Sequence, residues 1–249
     1  MPTFFAVLSA KATKSPITRS TTRDASPLSD DGRRREIIEA HDMLSALAGR
    51  AITGFRAPCY DICRRSMDML RRLNYRYDSS IHPSMIAPVI DAAVLLKSHF
   101  RKWEARPGSY AQLLAPLRPF VPHASNCWRK ARRKSSDLSG NALVELPLSA
   151  MPISRAPFYG TWMQMTGMPL FRKSLSWLRR FDIPLHYHFH AVELVALTDA
   201  DVDSRFRVHP GMSRPIVEKI RDIDEMLFSF SNNYNLMTLD SMAMEYTKS

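Results

Sequence analysis

From about residue 29 onward, apolar residues recur at helical spacing, and short apolar runs separate those stretches. Ser29 or Asp30 can cap a helix whose side carries Ile37, Ile38, Ala40, Leu44 and Leu47, with Gly49 as its stop. AITGF (51–55) reads as a buried strand. A second helix is predicted over 60–73, with Ile62, Met67, Met69, Leu70 and Leu73 as its apolar positions and Asn74 at its end. YRYDSS follows as a strand. Helix and strand alternating at this pace predict parallel α/β units. The stretch 85–140 is broken by Pro107, Pro116, Pro119 and Pro122. Order returns with LVELPLSAMP as a strand, a helix over 169–180, a strand within IPLHYHFHAVEL (183–194) and a helix over 213–230 opened by Ser213 and Pro215. Residues 1–28, rich in Ser, Thr, Lys and Arg, read as a poorly ordered lead-in, and 29–249 as one domain. The pattern suits an α/β barrel or open sheet lacking part of its beginning.

Hydrophobic residues make up 45% of the 249, enough for a conventional core. The net charge of +11 favours acidic partners but carries little weight, since net charge does not specify function. Three cysteines, Cys59, Cys63 and Cys127, form neither a disulfide framework nor a paired zinc motif, which fits a reduced, cytoplasmic chain. The N-terminal apolar run is too short for a secretory signal, and no stretch approaches the about 18 apolar residues of a membrane span. No phosphate-binding glycine loop and no serine-hydrolase elbow occurs. WRKARRK (128–134) is a solvated basic face or an anionic-ligand patch.

In parallel α/β proteins, catalytic groups collect at the carboxyl ends of strands. Arg56, Asp78 and His190 fall at three such ends, and their convergence at one rim is the expectation. Arg56 is a fixed cation suited to a carboxylate, in a turn stiffened by Pro58, or an ordinary surface arginine. Asp78 could orient a histidine and favour its charged form, with Ser79 and Ser80 adding hydrogen bonds, or cap the following turn. His186, His188 and His190 share one strand face. They form a metal site, or one functional histidine beside two packing ones. Glu193 could hydrogen-bond near them or face water.

GFRAPCY, a helix and then LNYRYDSS resemble the third and fourth motifs of the polysaccharide deacetylases, a carbohydrate esterase family. HFHAVEL resembles the fifth motif, and HPGMSRPIVEKIRDIDEMLFSF the closing helix. The likeness covers roughly residues 29–81 and 143–243. It implies a distorted, incomplete (β/α) barrel acting on non-peptide C–N bonds, removing acetyl or formyl groups from amino sugars. In the family a divalent, zinc-like metal held by one Asp and two His activates water, and a neighbouring Asp is the base. By the same resemblance Arg56 holds that base, Asp78 tunes His190, and His190 protonates the leaving amine. Pro58 and Tyr60 shape the groove. Tyr159, Trp162 and Tyr60 are further candidates for stacking on sugar rings.

The family's first motif, Thr-Phe-Asp-Asp-Gly after a strand, is absent, because Asp30-Asp31-Gly32 opens a helix instead. The His-x-x-x-His motif is also absent, so no metal is expected on this chain. The expectation is a deacetylase-like hydrolase, a fragment or a degenerate relative, with impaired catalysis and a glycan partner. A non-catalytic carbohydrate binder is the alternative, and a nucleic-acid or anionic-surface binder using Arg129–Lys134 a third, although neither nucleic acid nor membrane is the expected partner. Loss of the first strands would expose a sheet edge, which predicts marginal stability or association.

Overall fold

The computed structural model describes residues 5–11, 30–57, 60–85, 111–132, 142–198, 202 and 211–248, and the structural statements below concern these. They divide into two compact units. One contains 5–11, 83–85, 148–198, 202 and 211–238; the other contains 30–57, 60–82, 111–132, 142–147 and 239–248.

In the first unit, β1 (Phe5–Lys11) lies between β5 (Leu185–His190) and β6 (Asn235–Leu236), parallel to both. The register sets Ser9 beside His188 and Lys11 beside His190. Helix α3 (Gly160–Arg180) precedes β5, and α4 (Ile216–Asn233) precedes β6. Alternation along β5 sends Tyr187 into a cluster with Phe158, Phe171 and Phe230, with ring centroids 5.1–6.3 Å from its own. Backbone at Gly167 leaves the helical region two residues before Pro169, which kinks α3.

The second unit starts with α1 (Asp30–Ala48), followed by β2 (Gly54–Phe55), α2 (Arg64–Arg72) and β3 (Tyr77–Asp78), then β4 (Val144–Glu145) and α5 (Leu239–Lys248). Strands β2, β3 and β4 form a parallel sheet in that order. Its core gathers Ile37 of α1, Met67 and Leu70 of α2, and Ile81, Phe120 and Leu143 from the strand side. Asn74 takes φ 58 just past α2, a left-handed residue that ends the helix.

The parallel α/β class is as expected, and among the described residues no closed barrel is formed. The strands are shorter than predicted: only Gly54–Phe55 of 51–55 and Tyr77–Asp78 of 75–79 enter ladders. α2 begins at Arg64 rather than at residue 60, and α3 begins nine residues before 169. The reading of 1–28 as a lead-in differs from the structure at β1. Its FAVL core is strand-forming, but that strand is defined by distant partners at 185–190 and 235–236, which a local window cannot see. The single domain expected over 29–249 is divided between the two units.

Candidate functional site

The GFRAP and YDSS segments meet in the second unit. Register sets Gly54 beside Tyr77 and Phe55 beside Asp78. Gly54 is required by close approach, because a Cβ there would lie 2.1 Å from Tyr77 Cζ. Arg56, one step past β2, donates from Nε to Ser79 O at 2.9 Å and from Nη2 to Ser79 Oγ at 2.7 Å. Ala57 N–H donates to Ser80 Oγ at 2.7 Å, and the Ser80 hydroxyl donates to Asp78 Oδ1 at 2.6 Å. The two motifs are thus laced together through side chains, and the Asp-Ser-Ser run supplies the acceptors.

The same ladder sets Asp78 beside Glu145, so both carboxyls leave one face of the sheet as neighbours. Both residues are wholly buried. Ile81 N–H donates to Glu145 Oε1 at 3.0 Å. Asp78 Oδ2 and Glu145 Oε2 are buried and have no hydrogen-bond partner among the described residues. Two neighbouring buried carboxyls resist ionising together, which favours one proton on the pair. Burial pushes the Asp78 carboxyl up, but bonds from Glu145, Ser80 and the backbone of Ser79 and Ser80 favour its charged form. Burial pushes Glu145 up much further, helped by the adjacent Asp78 charge. The stronger upward push falls on Glu145, which makes it the carboxyl that keeps a proton more readily. Burial lowers the Arg56 pKa against the raising influence of Tyr60, Asp78 and Glu145; a guanidinium nonetheless stays protonated.

Tyr60 stands at φ 60, a left-handed backbone that costs a non-glycine residue about 1–2 kcal/mol. Gln112 holds it there, donating from Nε2 to Tyr60 O at 3.1 Å and accepting from His82 N–H at 3.0 Å. The Tyr60 and His82 rings pack 5.6 Å apart. Burial, reinforced by Arg56, pushes His82 down to about 3, so its ring is neutral. Pro58 and Cys59 lie outside the described residues.

His190 belongs to the first unit. His186 and His188 are buried, whereas His190 at the strand end is half-exposed. The His188 ring stacks on Tyr159 at 5.1 Å and meets the His190 ring edge-on at 5.1 Å. Among the described residues no group of three His, Cys, Asp or Glu could hold a metal ion. Side chains two apart on a strand are separated by about 6.6 Å at their roots, too far for three rings to converge on one ion without bending the strand.

Glu193 faces inward, not to water. The Thr161 hydroxyl donates to its Oε1 at 2.5 Å, and the His190 backbone also hydrogen-bonds it. Burial raises its pKa to about 7, against Thr161, the His190 backbone and the charge of buried Lys219. Lys219 Nζ donates to Val195 O at 2.5 Å. Gly160 makes room for the carboxylate: a Cβ there would lie 1.8 Å from Glu193 Oε2. Tyr159 and Trp162, at the start of α3, are half-exposed.

Arg56 and Asp78 thus lie in one unit and His190 in the other. Sequence reasoning missed Glu145 and Gln112. A charged residue within the apolar LVELPL was the available signal for Glu145; nothing local marks Gln112.

No family profile matches the chain, and no curated protein matches it. Among solved structures it resembles a protein from Mycobacterium smegmatis provisionally assigned as a polysaccharide deacetylase, at 14% identity and a TM-score of 0.44. The match covers 88% of this chain and 57% of that one. A likeness of that size establishes neither family nor activity.

Proposed function

We propose that the chain is a polysaccharide deacetylase-like hydrolase domain directed at the amide C–N bond of N-acetylated amino sugars. The observation supporting this reading is the lacing of Arg56 and Ala57 to Ser79 and Ser80, which joins the two family-like motifs at neighbouring strand ends. In this reading Arg56 and Asp78 are positioning residues. Asp78 is wholly buried, and its Oδ1 accepts from the Ser80 hydroxyl. His190 is the donor to the leaving amine, half-exposed at the end of β5. Tyr159 and Trp162, in the same unit as His190, are the residues proposed to stack on the sugar.

In related enzymes a divalent metal supplies an activated water. The donor set here does not fit that ion: the sequence lacks both ligand motifs, and no three-ligand group occurs among the described residues. No step is therefore routed through a metal, and hydrolysis is expected to be slow. Glycan binding without turnover is the second reading, favoured by that missing donor set.

Saturation-transfer NMR with N-acetylchitotetraose tests both. Transfer to the N-acetyl methyls is expected, and release of free acetate separates the hydrolase from the binder. No transfer and no acetate would remove both readings.

A further inference from the structure

We infer that the cleft between α1 and α2 is a binding site for a small phosphate-bearing ligand. A cavity of about 220 Å³ opens there, lined by Arg33 and Arg34 of α1 and by Arg65 and Arg72 of α2. Ile37 and Met69 give it an apolar wall. Arg65 and Arg72 are seven residues apart, which puts them on one stripe of α2 and about 10 Å apart along its axis. Phosphate in the cavity meets guanidinium groups of α2 and, at Arg33 and Arg34, of α1.

Two aspartates, Asp31 and Asp68, also line the cavity, so the charges need apportioning. Asp68 is drawn outward: Arg71 Nη1 lies 2.8 Å from its Oδ1 and Arg64 Nε 3.6 Å from its Oδ2. Neither of those arginines lines the cavity. Arg33 is committed to Asp61, donating from Nη1 to Asp61 Oδ2 and to Asp61 O, each at 3.1 Å. Among the described residues no carboxylate pairs with Arg34 or Arg72. With Arg33 and Asp68 so engaged, Arg34 and Arg72 keep the lining basic. A concave wall concentrates that field. A phosphate monoester or diphosphate brings more negative charge than a lone carboxylate into the same volume. The planar guanidinium fork suits phosphate oxygens geometrically. This site does not depend on the hydrolase reading.

Titration calorimetry of the full chain with inorganic pyrophosphate, against sulfate at equal ionic strength, tests the inference. Saturable pyrophosphate binding is expected, with sulfate weaker. R34A/R72A is expected to weaken it about tenfold or more. R129A/K130A removes the same charge from the basic run elsewhere in this unit and is expected to leave affinity within about threefold. Equal weakening by both variants would assign the binding to overall charge and overturn the inference; so would the absence of saturable binding. If R34A/R72A does not fold, amide shifts in the wild-type chain decide: pyrophosphate must move Ser66 and Met69 more than residues around Arg129.

Discussion

Replacing Glu145 by glutamine should stabilise the protein above neutral pH and leave it nearly unchanged in mild acid. Burial pushes both carboxyls up, Glu145 the further, so a proton held on Glu145 is the expectation under test. Glutamine keeps the shape of that protonated acid. Its carbonyl accepts from Ile81 N–H, as Glu145 Oε1 does, and its amide donates to Asp78 Oδ2. The sign follows from the direction of the shift. The folded-state pKa of Glu145 is raised above the ordinary 4.5, so its contribution is fully present below 4.5 and is lost as pH rises through the folded value. Across that window each pH unit removes about 1.4 kcal/mol per proton. Glu145→Gln deletes this slope. Glu145→Ala instead leaves the buried Asp78 charge without its donor and opens a void, at a cost of about 3–5 kcal/mol. Urea denaturation from about pH 5 to about pH 8 reads the slopes, with Trp128 against the core of this unit as a fluorescence probe. An unchanged slope in Glu145→Gln, or a loss in mild acid as large as that of Glu145→Ala, would refute the proton held on Glu145.

Thr161→Val removes a donor to ionised Glu193, so the Glu193 pKa should climb above about 7, read by carboxyl-carbon NMR titration. Gly160→Ala drives a methyl to 1.8 Å from Glu193 Oε2 and 2.8 Å from Phe189 Cβ, and thermal unfolding should show a loss of about 1–3 kcal/mol. Arg56→Ala strips both contacts from Ser79 and leaves the Asp78 charge without its nearby cation, a loss of about 3–5 kcal/mol. Arg56→Lys keeps the charge but not the two-point hold, so urea midpoints should place it between wild type and alanine.

The helices were legible because their signals are local. Ile37 and Ala40 of α1 and Met67 and Leu70 of α2 are the buried members of stripes visible in the sequence. Asn74 marked its own helix end by tolerating a left-handed backbone. The strands were harder, because two-residue ladders such as Gly54–Phe55 and Val144–Glu145 carry too few positions to show a period. β1 escaped notice because its partners lie far along the chain.

Within the candidate site, the adjacency of GFRAP and YDSS was readable from their order and spacing. What Arg56 touches was not: its Nε and Nη2 donate to Ser79, a residue expected only to add local bonds. Asp78 was expected to orient a histidine, yet its neighbour across the ladder is Glu145, set by strand register rather than by sequence proximity. The three histidines of HYHFH share a face by alternation, but that rule does not say which are covered; packing buries His186 and His188 and leaves His190 at the rim of the strand.

Saturation-transfer spectra of the intact chain with N-acetylchitotetraose address the glycan assignment most directly. The account requires transfer to the acetamido methyl protons, reduced by Tyr159→Ala and Trp162→Ala. Spectra with no transfer and no accumulating acetate would contradict it.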